Sequence, residues 1–99
     1  MSLNLTGAFS SDIPGTYYLR QLGTEVYWYG EDSAQPPSWS NVAYGKIDAN
    51  NNLMMEWCDV PKGVTRNEGQ LTLKVSNDGK TITVMAETGR FGTRKITKI

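Results

Sequence analysis

Residues 69–86 read GQLTLKVSNDGKTITVMA and decide the fold, because they contain two alternating runs joined by Asn77-Asp78-Gly79. The apolar residues take every second position: Leu71, Leu73 and Val75 in the first run, Ile82, Val84 and Ala86 in the second. A period of two predicts a strand with one buried face, and the Asp-Gly pair favours the tight turn of a hairpin. This stretch therefore predicts an antiparallel β-hairpin.

Similar runs, rich in Thr, Tyr, Val, Ile and Trp, repeat along the chain and end at Gly, Asn, Asp or Pro. The predicted strands cover residues 3–9, 16–21, 25–29, 41–48, 53–58, 69–76, 80–86 and 92–98. Leu22-Gly23-Thr24 and Asn50-Asn51-Asn52 predict two more tight turns, while 30–40, with Pro36-Pro37, and 59–68 are predicted loops. We expect residues 1–99 to form a single all-β domain, an antiparallel up-and-down barrel (a meander) of about eight strands or, alternatively, a compact β-sandwich.

Alternation also assigns faces to the aromatic strands. Val26 and Trp28 are predicted to point inward, with Tyr27 and Tyr29 outward beside Tyr18 or Tyr17. In the fifth predicted strand the inward set is Leu53, Met55 and Trp57, and the outward set is Met54, Glu56 and Cys58.

Two segments near the start of the chain carry a family resemblance. Leu5-Thr6-Gly7-Ala8-Phe9, followed by Gly15-Thr16-Tyr17-Tyr18, resembles the opening strands of avidin-like and lipocalin-like barrels. The resemblance implies an eight-stranded meander but no site, since Phe9 stands where these families carry tryptophan and no biotin-ligand set maps onto the chain. Residues 15–21 and 57–63 also resemble parts of a small bacterial domain of unassigned function.

Composition argues against most chemistry. The formal net charge is zero, so nucleic acid is not an expected partner. The chain has no histidine and one cysteine, which removes His-based catalysis, a conventional zinc site and any internal disulfide. We therefore expect a non-enzymatic protein without cofactor or metal. The carboxylates Glu31, Asp32, Glu56 and Asp59 are interpreted as solvated charges, and 48–52 as a hairpin turn in preference to a calcium loop.

Targeting signals are equally scarce. The first residues lack the basic and apolar regions of a signal peptide, and no apolar run is long enough to span a membrane. These observations predict a chain without membrane association and, by default, a cytoplasmic one.

The aromatic residues are the remaining candidates for function. A small-molecule or glycan ligand would bind at the barrel mouth or on an aromatic face. Alternatively, a tyrosine-rich face would mediate protein interaction or self-assembly into a homo-oligomer. The candidate contact residues for either hypothesis are Tyr18, Tyr27, Tyr29, Trp39, Asn41 and Tyr44.

Overall fold

The computed structural model describes residues 4–61 and 63–99, which form eight antiparallel strands and no helix. In chain order the strands are β1 (Gly7–Ser11), β2 (Thr16–Leu22), β3 (Glu25–Glu31), β4 (Ser40–Ile47), β5 (Asn52–Asp59), β6 (Glu68–Val75), β7 (Thr81–Glu87) and β8 (Lys95–Lys98). Each strand pairs with the next, and β1 pairs with β8, so the sheet closes into a barrel. The predicted up-and-down barrel is confirmed, and the sandwich alternative is not what forms.

The predicted and observed strand boundaries differ by one or two residues in several strands, and the largest differences lie at the two termini. β1 begins at Gly7 and not at residue 3; Leu3 lies outside the described residues, and Leu5 is buried although it precedes the strand. β8 begins at Lys95 because Gly92 has a positive φ of 94°, which no regular strand accepts. No helix in the described part of the chain is long and apolar enough to cross a bilayer.

The two ends of the barrel differ in their connections. Alternate connections of an antiparallel meander meet at the same end, so residues 12–15, 32–39, 60–67 and 88–94 form one end, here called the long-loop end; Lys62 lies outside the described residues. The opposite, tight-turn end carries the three predicted turns. Gly23, Asn51 and Gly79 adopt φ of 63°, 63° and 73° there, which is the left-handed conformation that Gly and Asn tolerate.

The barrel interior is filled by side chains. Those toward the tight-turn end are mainly aliphatic, including Leu19, Val26, Leu53, Leu73, Val75 and Ile82. The half toward the long-loop end is aromatic and includes Tyr17, Trp28, Trp57 and Phe91, with Trp39 packed against it. The inward sets predicted for β3, β5 and β6 are confirmed by burial.

One face assignment is wrong, and a β-bulge is the reason. Leu73 pairs with Val84, but Thr72 pairs with Ala86, so Met85 is an extra residue in β7. The extra residue reverses the alternation beyond it. Ala86, predicted to share the inner face with Ile82 and Val84, is therefore exposed.

The aromatic half is held together by ring contacts and hydrogen bonds. The Phe91 ring lies 5.0 Å from Trp57 and 5.8 Å from Trp28, measured between centroids. The Tyr17 hydroxyl lies 2.8 Å from the Thr93 hydroxyl. Burial raises the pKa of Tyr17 to about 12, so this phenol stays protonated at any physiological pH.

Three carboxylates fix connections of the chain. Ser38 donates to Asp32 from its backbone N–H at 3.0 Å and from its hydroxyl at 2.6 Å. Asp48 accepts the N–H groups of Asn50 and Asn52 in one tight turn, and Asp78 accepts the Ser76 hydroxyl in another. These hydrogen bonds favour the ionised form and lower the pKa of all three carboxyl groups.

Acidification should therefore destabilise the barrel. Because the folded pKa values of Asp32, Asp48 and Asp78 lie below the unfolded value of about 3.9, their contribution is complete above that pH and is lost as the pH falls through the folded values. The melting temperature, followed by circular dichroism, should be level near neutral pH and fall below about pH 4. The fall should be smaller in Asp78→Asn, and an unchanged melting temperature down to about pH 2 would contradict the assignment.

Candidate functional site

The structure divides the six predicted contact residues into two groups. Tyr18, Tyr27, Tyr29 and Tyr44 lie on the outer face of β2, β3 and β4, where Tyr18 pairs with Tyr29 and Tyr27 pairs with Tyr44. Trp39 and Asn41 lie instead at the long-loop end, where both line one small cavity. No single surface contains all six.

A groove of about 900 Å³, largely open to solvent, runs across the outer face of β3, β4, β5 and β6. We call it the outer groove. The outward side chains that line it are Tyr27, Val42, Tyr44, Glu56, Cys58, Glu68 and Gln70. Strand register explains the grouping, because Tyr27, Tyr44, Glu56 and Gln70 are directly opposite one another on successive strands.

Tyr27 and Tyr44 form a fixed aromatic pair in the outer groove. Their ring centroids are 4.9 Å apart with an interplanar angle of 42°, and the side chains are 40% and 41% exposed. Both hydroxyls donate to the same carboxylate oxygen of Glu25, at 3.4 Å from Tyr27 and 2.7 Å from Tyr44. The hydrogen bond to Glu25 raises the pKa of Tyr44, and the shared carboxylate oxygen holds both rings in place.

A second depression of about 390 Å³ adjoins the outer groove and shares Tyr44, Glu56 and Gln70 with it. It continues the surface toward Lys46 and Met54, the latter 57% exposed. The two depressions therefore form one continuous surface on the outer face.

The charge of the outer groove is mainly negative. Glu56 and Glu68 line it, and Glu25 borders it through the tyrosine hydroxyls. A polyanion such as nucleic acid would be repelled there. Asp59 lines the small cavity at the long-loop end, whereas Glu56 lines the outer groove. These two carboxylates therefore do not face one another.

Trp39 and Asn41 act first as parts of the barrel's end. The Trp39 ring is half-buried and lies 5.7 Å from the Tyr17 ring, so it closes the mouth and does not project into solvent. Asn41 is 3% exposed and accepts a hydrogen bond of 3.0 Å from the Trp28 indole. The Asp32 hydrogen bonds described above hold the loop that carries Trp39.

Four residues that line or border the outer groove were not predicted as contacts from the sequence: Glu25, Glu56, Glu68 and Gln70. The alternation of apolar and polar residues in β5 predicts that Glu56 points outward, and this was the one sequence signal for its place in the groove. What was missing was the register, which sets Glu56 opposite Tyr44 and Gln70. In the described residues, no cluster of three or more Cys, Asp or Glu side chains is arranged to hold a metal ion.

Fold and surface together define a class: a closed, filled eight-stranded meander barrel that carries concave surfaces on its outer face and a small cavity at the long-loop end. No family model matches this chain, and no curated protein or solved structure matches it significantly.

Proposed function

We propose that the protein is a non-enzymatic carbohydrate-binding module that takes a neutral glycan chain along the outer groove. The observation that carries this proposal is the exposed Tyr27–Tyr44 pair within a groove of about 900 Å³ bordered by carboxylate and amide side chains. This use of the outer face differs from avidin-like and lipocalin-like barrels, which hold a ligand inside. Here the interior is occupied by core side chains.

The chemistry of the groove fits a sugar. A tyrosine ring has an electron-rich face that attracts the polarised C–H groups on the flat side of a pyranose. Glu56, Glu68 and Gln70 supply oxygen acceptors for sugar hydroxyls, and Gln70 also supplies donors. Because Glu25 already orders the two rings, little side-chain entropy is lost on binding.

An extended peptide fits less well. Peptides that bind β-proteins commonly add a strand to a free sheet edge. In the described residues every strand is paired on both sides, since β1 and β8 close the sheet. A ligand on the outer face must therefore be recognised through side chains.

The test is to titrate the protein with linear tetrasaccharides of glucose, mannose, xylose or N-acetylglucosamine. NMR chemical shifts of the backbone amides are measured during each titration. At least one tetrasaccharide should shift the amides of Tyr44, Glu56 and Gln70. Tyr44→Ala should weaken its binding about tenfold or more. Tyr18→Ala is the matched control, because Tyr18 is 51% exposed on β2 and does not line the groove. Absence of any shift, or equal weakening by both variants, contradicts the proposal.

Cys58 gives a second readout. It is an exposed thiol, the single cysteine of the chain, and it lines the outer groove. A bound tetrasaccharide should slow its reaction with a thiol reagent. The alternative function, association of two copies through Tyr27, Tyr44 and the exposed Met54, would slow the same reaction without sugar as protein concentration rises.

A further inference from the structure

The long-loop end contains a cavity of about 160 Å³ that is separate from the outer groove. It lies between the β3–β4, β5–β6 and β7–β8 connections, and Trp39, Trp57 and Phe91 supply its aromatic wall. At about 30 Å³ per water, the volume holds about five waters. Pockets for drug-sized ligands enclose about 300 Å³ or more, so an occupant has only a few non-hydrogen atoms.

The Thr65 hydroxyl gives the first sign that this cavity receives a ligand. Thr65 lines the cavity, and its Oγ1 is buried without a hydrogen-bond partner in the part of the chain that the structure describes. A buried hydroxyl without a partner is unfavourable, and such groups usually meet a ligand or a bound water. A hydroxyl can donate one hydrogen bond and accept two.

The charges around the cavity give the second sign. Asp59 and Arg90 both line it, one at the end of β5 and the other in the β7–β8 connection. One oxygen of Asp59 accepts the Asn67 N–H at 2.8 Å, which fixes the carboxylate in position. One acidic and one basic residue therefore belong to the lining of the same small cavity.

The backbone at Arg90 is unusual and supports a role for this side chain. Arg90 has a φ of +63°, between Gly89 at +84° and Gly92 at +94°. A left-handed conformation is unfavourable for arginine, whereas glycine or asparagine adopts it readily. This conformation turns Phe91 into the core while leaving Arg90 exposed at the rim of the cavity.

We infer that the long-loop cavity binds a small amphoteric molecule of the size of a simple α-amino acid. Its carboxylate contacts Arg90 and accepts a hydrogen bond from Thr65, and its ammonium contacts Asp59. Guanidinium and carboxylate form strong charge-assisted hydrogen bonds, and the aromatic wall contacts a short apolar side chain. An anion alone would be repelled by Asp59, and a cation alone by Arg90.

The experiment titrates the protein with glycine and alanine, and separately with acetate and methylammonium, while following amide chemical shifts. Both amino acids should shift the amide signals of Thr65, Asn67 and Phe91. Their affinity should be at least about tenfold higher than that of acetate or methylammonium. The affinity for free alanine should fall about tenfold in Asp59→Asn and in Arg90→Asn. The Arg90→Lys variant should retain most of that affinity. Asparagine suits both positions, because it still accepts the Asn67 N–H and tolerates a positive φ.

Several results would overturn the inference: no shift with either amino acid, acetate binding as tightly as alanine, or unchanged alanine binding in Asp59→Asn. Thr65→Val separates a ligand role from a packing defect. Removing an unpartnered hydroxyl should raise the melting temperature of the free protein, and it should also weaken alanine binding. A raised melting temperature with unchanged alanine affinity excludes the hydroxyl from the site. None of these outcomes depends on the outer groove.

Discussion

Replacing Phe91 with alanine is expected to lower the free energy of unfolding by about 3–5 kcal/mol, as for other buried phenylalanines. The ring is buried from a loop, not a strand, and it contacts Tyr17, Trp28 and Trp57 at centroid distances of 6.1, 5.8 and 5.0 Å. Removing it leaves a cavity among three rigid aromatic rings that cannot close around it. Because a domain has only about 5–15 kcal/mol of net stability, a large share would be lost.

Urea unfolding followed by tryptophan fluorescence measures this effect. The three tryptophans all lie in or against the aromatic half of the core. Their fluorescence emission in folded Phe91→Ala should therefore already lie at longer wavelength than in the unaltered protein. Tyr18→Ala is the control, because Tyr18 is exposed and surface substitutions usually change stability by no more than about 0.5 kcal/mol. A loss below about 1 kcal/mol for Phe91→Ala would show that the ring is not a core residue.

Gly45→Ala is expected to be at least as damaging, with a loss of about 3 kcal/mol or more. Gly45 lies in β4 opposite Met55, and a Cβ at this position would overlap the carbonyl oxygen of Met54. The obstacle is the backbone of the paired strand, so no side-chain rotation relieves it. The strands must separate, which breaks hydrogen bonds in the middle of the closed sheet.

Chemical denaturation and the yield of soluble protein measure this second effect. Gly23→Ala provides the comparison, because Gly23 lies in a tight turn with φ +63°, and no atom lies within 4 Å of the place that an alanine methyl would take. There the change costs only the left-handed strain of alanine, about 1 kcal/mol. Equal stability loss in the two variants would contradict the close approach of β4 and β5.

Turn chemistry and alternation were sufficient to predict the architecture. Asn51 and Gly79 occupy the left-handed positions expected of their turns, and Leu71, Leu73 and Val75 are buried as a set. These features depend on residues close in sequence, and local physics determines them. The number of strands and their meander order followed from the same short connections.

Features that depend on distant residues were not predictable. The bulge at Met85 arises from the pairing of β7 with β6, and the sequence of β7 alone does not predict it. Phe91 was not recognised as a core residue, because three positive φ angles, not a strand, turn it inward. The candidate residues divide between two surfaces because register and loop packing, which single-strand patterns do not contain, set Tyr44 beside Glu56 and Trp39 beside Tyr17.

The pairing of β1 with β8 has a consequence for how the chain acquires its structure. Ser10 pairs with Thr97, so the contact that closes the sheet joins residues that are far apart in the sequence. Such contacts are slow to form, because a long loop must be closed before they stabilise anything. During synthesis, before β8 is available, a sheet of the first seven strands would have two unpaired edges. Unpaired strand edges make a β-protein prone to aggregation. Only the emergence of β8 ends that interval.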